Sequence, residues 1–222
     1  MSTNIDQQQT HTFLFPTPIG SAFYDKDLSA EQILFIKNLD KSDNMGNLTT
    51  SNKYVLNDAL FKDVKKFIED NLKLYFKKWF SPPEGINLYL TQTWANYTEK
   101  DQFHHRHFHQ NSFVSCVFYP QVSEDPLNPD KITFHSSHGG YSIFNRSIGF
   151  KPQEFNLFNS FSWWLPVKKN QLVIFPSTLE HSVDNKQTTG TRISIACNSF
   201  VEGDLGSFDE LTHLNLKRSN YY

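Results

Sequence analysis

The sequence INLYLTQTWANY, at residues 86–97, begins a series of short runs that are rich in Val, Ile, Phe, Tyr, Trp and Thr. Turn residues separate the runs and no helical segment alternates with them, which disfavours a parallel α/β sheet. We therefore expect about seven or eight strands in a mainly β fold, arranged as an antiparallel sandwich or jelly roll. The later runs are SFVSCVFYPQV at 112–122, KITFHSS at 131–137, YSIFNRSI at 141–148, SFSWWLPV at 160–167, QLVIFPS at 171–177 and TRISIACNSFV at 191–201.

Two helices are expected before these strands. The first covers about residues 28–39, where Ser29 and Gln32 form a capping box and apolar residues recur at near-helical spacing. The second begins at Asp58, carries one broad apolar stripe and ends at a Ser-Pro-Pro sequence. The segment 41–57 between them is polar and rich in turn residues.

The N-terminal part of the chain contains one further candidate strand. Residues 13–24, FLFPTPIGSAFY, are interrupted by two prolines, which confine such a strand to a sheet edge. An edge strand near residue 15 could serve a homodimer. No linker-like composition separates helices from strands, so a single domain over 1–222 is expected, with a helical part at about 25–80 and a jelly roll at about 86–202.

The charge and cysteine content limit the possible functions. Lys and Arg number 21 against 23 Asp and Glu, so the formal charge is 21 − 23 = −2, and no basic stripe suggests nucleic-acid binding. Cys116 and Cys197 lie in apolar β-like runs, which favours core thiols over a disulfide. The start MSTNIDQQQTHTF lacks signal-peptide features, and no run is long enough to span a membrane. A cytoplasmic protein without a membrane partner is expected.

The histidines are clustered. Of the nine, His104, His105, His107 and His109 lie close together, which composition does not explain. On a strand, His105, His107 and His109 would share one face, and two such imidazoles can grip a single metal ion. His104 would lie on the other face, where a structural role is expected. The alternative interpretation is a polar patch of exposed or hydrogen-bonded histidines.

Two later residues are candidates for the same site. His181 follows a buried-type strand and a Pro-Ser turn, close to the strand end. A single histidine at such a place can belong to a functional site, but it often has a structural role. Arg192 begins an alternating strand and shares its side with Ser194 and Ala196. A buried arginine needs an anion, and its planar fork favours a carboxylate. No acidic residue nearby in sequence supplies one, so the interpretations are a ligand carboxylate or a surface ion pair.

Taken together, these motifs resemble those of the 2-oxoglutarate- and Fe(II)-dependent oxygenases, most closely a family found in bacteria and bacteriophages. The matching stretches are FPTPI at 15–19, WAN at 94–96, HFHQNSFVSCVFYP at 107–120, FPSTLEHSVDN at 175–185 and RISIACN at 192–198. Cys116 stands where the family pattern has glycine. The match is discontinuous but covers most of residues 15–200, and the motifs are specific as a set although each alone is weak.

The resemblance implies a double-stranded β-helix, a cupin-like jelly roll with the N-terminal helices packed on it, that holds Fe(II) at its mouth. His107 and His181 match the two histidine ligands, and His109 stands where the superfamily usually has a carboxylate. We favour a site of these three histidines. Alternatively, His109 lies next to the metal ligands without binding the metal itself, or the register is shifted and His105 and His107 are the pair.

The same resemblance implies a site for the cofactor 2-oxoglutarate. Arg192 would clamp its distal carboxylate, with Ser194 hydrogen-bonding from the next position on that face. Asn96 and Tyr97 would contact the cofactor from the facing strand. Metal and cofactor carry out the difficult step in this chemistry, which agrees with the absence of a serine triad, a Cys–His pair or paired carboxylates from the sequence.

The implied activity is that of a dioxygenase that uses O₂ and 2-oxoglutarate, hydroxylates an unidentified substrate, and releases succinate and CO₂. A protein side chain or a small molecule is favoured as substrate over nucleic acid. Residues 136–160 are expected to form a mobile lid. The alternatives are a cupin-like metal enzyme with a three-histidine site that does not use 2-oxoglutarate, and a non-enzymatic β-sandwich binding module.

Overall fold

A computed structural model describes residues 15–136, 149 and 151–218, which form two α-helices and twelve strands. The helices are α1 (Ala30–Asn38) and α2 (Lys62–Phe80), and two 3₁₀ turns, Val55–Asn57 and Ala59–Phe61, precede α2. The strands are β1 (Gly20–Phe23), β2 (Lys41–Asn44), β3 (Asn47–Thr50), β4 (Asn87–Thr98), β5 (His104–His107), β6 (Val114–Gln121), β7 (Lys131–His135), β8 (Ser162–Pro166), β9 (Gln171–Pro176), β10 (His181–Val183), β11 (Arg192–Leu205) and β12 (Leu214–Leu216).

The strands form two antiparallel sheets. The larger sheet has the order β1-β9-β6-β11-β4-β3-β2, and β12 pairs with β11. The smaller sheet has the order β5-β10-β7-β8. The mainly β, antiparallel prediction is therefore confirmed, and segments that are far apart in sequence become neighbours, since β11 lies between β4 and β6.

The larger sheet is the middle layer of the molecule. One of its faces packs against the helices: Ile193, Ile195 and Cys197 share a core cluster with Ile68 and Leu72 of α2. Its other face packs against the smaller sheet, in a second cluster of Val117, Val173, Phe175 and Ala196 with Ile132 and Phe134. The predicted alternation along β11 is thus present, and Arg192, Ser194 and Ala196 face the space between the sheets.

The helices begin and end where local chemistry requires. In α1, the Gln32 backbone N–H donates to Ser29 Oγ at 3.1 Å, and the Ser29 N–H donates to Gln32 Oε1 at 2.8 Å, so the predicted capping box is confirmed. The helix α2 ends at Ser81, which adopts a left-handed conformation with φ 44°. Asp58 caps the second 3₁₀ turn rather than the α-helix, so α2 starts later than the sequence predicted.

The hairpin β2–β3 was not predicted. The segment 41–57 contains two strands joined at Met45-Gly46, and β3 continues the larger sheet through pairing of Leu48 with Tyr97. Gly46 has φ +95°, and a Cβ there would lie 2.7 Å from the Phe103 carbonyl oxygen. The hairpin tip is therefore held tightly against the start of β5, inside the segment that the sequence assigned to the helical part.

Two predictions near the N-terminus and the middle of the chain need correction or stay open. The strand predicted at 13–24 is confined to Gly20–Phe23, after both prolines, and lies at the edge of the larger sheet beside β9. The predicted strand at 141–148 lies outside the described residues, as does much of the expected lid at 136–160.

Cys116 and Cys197 are buried free thiols, as expected. In the described ranges no helix has both the length and the apolarity needed to cross a membrane.

Candidate metal and cofactor site

Three histidines from two separate parts of the chain meet between the sheets. His107 ends β5 and lies directly opposite His181 of β10 in the strand register. His109 follows β5 and is held by its backbone N–H, which donates to the Ser177 carbonyl at 2.9 Å. The Nε2 atoms of His107 and His109 are 3.2 Å apart, and one possible ligand atom from each of the three residues lies within 4.8 Å of the others.

Each of these imidazoles has its Nδ1 occupied by an acceptor. The partners are the His105 carbonyl at 2.8 Å for His107, the Leu179 carbonyl at 3.0 Å for His181, and Asn198 Oδ1 for His109. A carbonyl oxygen only accepts, so each Nδ1 carries the proton and each Nε2 keeps its lone pair. Three convergent Nε2 lone pairs with oriented Nδ1–H groups are the arrangement of metal-binding histidines.

A group of small polar residues, which sequence reasoning did not single out, holds His109 in place. Ser115 Oγ lies 3.1 Å from His109 Nδ1 and donates to Asn198 Oδ1 at 3.0 Å. The Ser115 and Ser177 hydroxyls form a hydrogen bond of 2.8 Å, and Ser177 Oγ donates to Ser112 Oγ at 2.7 Å. The signal was present, because all four residues belong to the quoted motifs. Their bonds fix the His109 ring and explain why hydroxyl and amide residues occupy those motif positions.

Burial keeps the histidines neutral. It lowers the pKa of His109 to about 4 and that of His181 well below its ordinary value, and it also lowers the pKa of His107. Neighbouring histidines act in the same direction on each of the three. At neutral pH the three Nε2 atoms are therefore unprotonated and free to bind a cation.

These shifts predict a pH-dependent stability of the metal-free protein. In the unfolded chain the histidines take up protons near pH 6.5, whereas folded His109 does so only near pH 4, so the unfolded state binds more protons between these values. Stability should be complete above pH 6.5 and fall as the pH drops toward 4. We expect the Tm to decrease by roughly 5–10 °C across this window. Calorimetry of the wild type and of His109→Gln measures it, and an equal slope in the variant would contradict the assignment.

His104 and His105 do not follow simple alternation. The β5–β10 register shifts, because Val183 pairs with His104 whereas His181 pairs with His107. This bulge brings the His104 ring onto the His107 ring, with centroids 4.5 Å apart and planes at 18°, so the prediction that His104 faces the other way is wrong. His105, His104 and His107 form a second close group. The interaction of His107 Nε2 with His109 favours the group that contains His181 over the shifted register with His105.

Arg192 is buried without a salt bridge in the described part of the chain, and burial lowers its pKa although the nearby charge of Asp130 acts to raise it. Its side chain is 2% exposed, and among the described residues no carboxylate lies within salt-bridge distance of it. Two long hydrogen bonds, 3.4 Å to the Lys131 carbonyl and 3.3 Å to Thr98 Oγ1, engage its Nη atoms, and Nε has no partner among residues 15–136, 149 and 151–218. Most N–H groups of this guanidinium are therefore able to donate to a bound anion. Such an anion is expected because leaving a buried charge unpaired is costly.

The neighbours of Arg192 are those expected, with one exception. Ser194 follows on the same face of β11 and lies directly opposite Asn96 of β4, whose buried Oδ1 has no hydrogen-bond partner in the part of the chain that the structure describes. Tyr97 is not part of the site. Its ring packs in the helix-facing core and its hydroxyl donates to the Ile36 carbonyl, because adjacent residues of a strand point to opposite faces. The prediction that Tyr97 contacts the cofactor is therefore wrong.

Tyr119 was missed. It lies in the cluster between the sheets, and burial raises the pKa of its hydroxyl while the nearby Arg192 charge opposes that rise. Its place in the motif ending VFYP was the available signal. It therefore lies on the Arg192 side of the space between the sheets.

Residues 92–198, just under half of the chain, match the family described as "Putative 2OG-Fe(II) oxygenase". Over this segment the chain is similar to a family of 2-oxoglutarate–Fe(II) oxygenases. The matched segment contains all three convergent histidines as well as Arg192, Ser194 and Asn96. The predicted enzyme class, an oxidoreductase, agrees with this match. The predicted cofactors, Fe(II) and 2-oxoglutarate, agree with the match and with a site of neutral imidazoles and a buried guanidinium.

Solved structures with the same architecture include several such enzymes. HygX from Streptomyces hygroscopicus, with nickel and 2-oxoglutarate bound, is 13% identical with a TM-score of 0.53, over 82% of each chain. A prolyl-4-hydroxylase from Pseudomonas putida is 12% identical with a TM-score of 0.52, over 82% of the present chain and 92% of that chain. The carbocyclase SnoK from nogalamycin biosynthesis is 7% identical with a TM-score of 0.56, over 92% and 90%. At these identities the likeness shows only that the present chain has the jelly-roll fold. A search of curated protein sequences found no match.

Proposed function

We propose that the protein is an Fe(II)- and 2-oxoglutarate-dependent dioxygenase that hydroxylates a small molecule or a protein side chain, with release of succinate and CO₂. One observation carries the proposal: three convergent, Nδ1-anchored imidazoles and a buried guanidinium, which forms no salt bridge within the described residues, lie in the same space between the sheets. The first set suits a divalent transition metal, and the second suits a carboxylate.

His107, His109 and His181 would hold the metal. Imidazole is a good ligand for iron, and the polar contacts of each Nδ1 set the direction of each Nε2. Three neutral ligands leave the double positive charge of Fe(II) uncompensated, and the double negative charge of 2-oxoglutarate balances it. When bound, the metal and 2-oxoglutarate together supply the activation of O₂ for oxidation of a substrate C–H bond.

Arg192, Ser194 and Asn96 would hold 2-oxoglutarate. The guanidinium would take the distal carboxylate, and Ser194 lies one same-face position further along β11, opposite Asn96. Asn96 needs a hydrogen-bond partner for its buried amide, which a bound ligand would provide. These residues orient the cofactor and take no proton from the substrate.

Aromatic side chains line the metal end of the site. The Trp94 ring is 5.6 Å from the His109 ring, and the Phe175 ring is 4.7 Å from the His181 ring, measured between centroids. Such walls exclude water, which strengthens the interactions of the charged groups inside and protects a reactive site from side reactions. They also explain part of the high aromatic content.

The charge of −2 supports a small molecule or a protein side chain as substrate over nucleic acid. A cytoplasmic location, in the producing or host cell, and a homodimer formed through the edge strand β1 stay predictions. The division of one domain into a helical part at about 25–80 and a jelly roll at about 86–202 is also still a prediction.

Anaerobic spectroscopy tests the proposal. Addition of 2-oxoglutarate to the Fe(II)-loaded protein should produce a metal-to-ligand charge-transfer band in the visible, and admission of O₂ should yield succinate. The matched control is the same titration with Zn(II), which has no such band because its d shell is full. Absence of both the band and succinate would contradict the proposal.

A second candidate is a three-histidine metal enzyme that does not use 2-oxoglutarate. The imidazole at position 109, in place of a carboxylate, favours it. Arg192 separates the two candidates, because only the 2-oxoglutarate-dependent reaction requires a buried carboxylate clamp.

A further inference from the structure

The hairpin β2–β3 reaches the residue that lies opposite Arg192. Thr98, at the end of β4, pairs with Arg192 in the strand register, and Asn47, at the start of β3, donates from Nδ2 to Thr98 Oγ1 at 3.3 Å. All three are buried, with exposed fractions of 0% for Thr98, 4% for Asn47 and 2% for Arg192. A buried polar group of this kind has to satisfy each donor and acceptor.

The hydrogen bonds around Thr98 determine the role of its hydroxyl. Asn44 Nδ2 donates to Asn47 Oδ1 at 2.9 Å, which sets the Asn47 amide so that its Nδ2 faces Thr98. Arg192 Nη2 donates to the same Thr98 Oγ1 at 3.3 Å. A hydroxyl oxygen has two lone pairs, and these two donors occupy both.

The Thr98 hydroxyl can therefore form a further hydrogen bond only as a donor. Within the part of the chain that the structure describes, Thr98 Oγ1 receives hydrogen bonds from Asn47 and Arg192 and donates none. Its proton thus lacks an acceptor beside a guanidinium that also lacks an anion. A single carboxylate would satisfy both, since it accepts and never donates when ionised.

We propose that Thr98 is a further carboxylate-binding residue, which donates its hydroxyl proton to the ligand carboxylate that Arg192 binds, and that Asn47 is a positioning residue that makes this hydroxyl a donor. The inference rests on the proposed function, in which that ligand is 2-oxoglutarate. It also explains the presence of the hairpin, because Asn44 bonds both Asn47 and His104 Nε2 and so joins the carboxylate side of the site to the histidine side.

The first test uses Thr98→Val and Thr98→Ser in the full chain loaded with Co(II) under anaerobic conditions. Calorimetric titration with 2-oxoglutarate should show an affinity about tenfold weaker for Thr98→Val, the usual effect of losing a hydrogen bond to a charged group, and near-wild-type affinity for Thr98→Ser. The affinity for Co(II) alone should be the same in all three proteins.

The second test compares the 2-oxoglutarate affinity of the isosteric variant Asn47→Asp with that of Asn47→Ala. A carboxylate at position 47 would accept the Thr98 proton and would also attract Arg192, so Asn47→Asp should weaken 2-oxoglutarate binding more than Asn47→Ala does. A purely structural role predicts the opposite order, because aspartate preserves the shape of the side chain. Asp43→Ala, on an exposed position of the same hairpin, is the matched control and should bind like the wild type.

The outcomes distinguish the two proposals. If the wild type loaded with Co(II) does not bind 2-oxoglutarate, both the proposed function and this inference are overturned. If the wild type binds but Thr98→Val binds equally well, only the inference is overturned. Should Thr98→Val fail to fold, the order of Asn47→Ala and Asn47→Asp decides, and equal or reversed affinities refute the inference.

Discussion

Replacement of His181 by alanine should abolish metal binding and turnover. His181 supplies one of three convergent Nε2 atoms, and its Nδ1–H is already fixed by the Leu179 carbonyl. Loss of a mere hydrogen-bond partner of a ligand typically weakens metal binding about 10- to 100-fold, so we expect loss of the ligand itself to exceed that. Anaerobic titration with Co(II), followed by succinate measurement with Fe(II), checks the result.

His135 offers the matched control. It lies on β7, next to β10, but its Nε2 contacts Ser182 Oγ at 2.8 Å and its ring is not part of either histidine group. His135→Ala should therefore leave metal affinity unchanged. His105→Ala tests the shifted register, because a loss of metal binding there, with His109→Ala still binding, would replace His109 by His105 in the site.

Replacement of Arg192 by methionine should weaken 2-oxoglutarate binding by about 100-fold or more, since a bidentate, charge-assisted contact is lost. Metal affinity measured without 2-oxoglutarate should not change. The stability of the metal-free protein should stay the same or rise, because a buried guanidinium with few partners is replaced by an apolar side chain of similar length. Binding calorimetry and thermal unfolding give the two readouts.

Arg106→Met is the control for this change. Arg106 lies on β5, and its exposed guanidinium pairs with Glu180, the residue just before β10, so its loss should affect neither readout strongly. Turnover that persists in Arg192→Met with unchanged 2-oxoglutarate dependence would refute the clamp. Turnover without any need for 2-oxoglutarate would support the three-histidine alternative.

The parts of this molecule that sequence predicted are those set by local pattern. The capping box of Ser29 and Gln32 and the alternation along β11 both depend on neighbours within a few residues, and both are present. The candidate site residues came from motif spacing. The strand order explains why that spacing works, since β10 lies beside β5 and β11 lies beside β4.

The parts that sequence missed depend on contacts between distant segments. Polar residues at 41–50 become strands only because Leu48 pairs with Tyr97 and Gly46 fits against Phe103. The bulge that turns His104 toward His107 arises from its pairing with β10, which no local pattern encodes. Tyr97 was misplaced for a simpler reason, because the residue after Asn96 must point to the opposite face of the sheet, which here packs against the helices.

The middle position of the larger sheet has a consequence for how such a protein can change. Along β11, residues that hold the helices alternate with residues that face the site, so Ile193 and Ile195 are separated by Ser194. Selection for a durable protein and selection for a new reaction therefore act on interleaved positions of one strand. A lineage can alter its chemistry on one side of the sheet while the other side keeps the molecule folded.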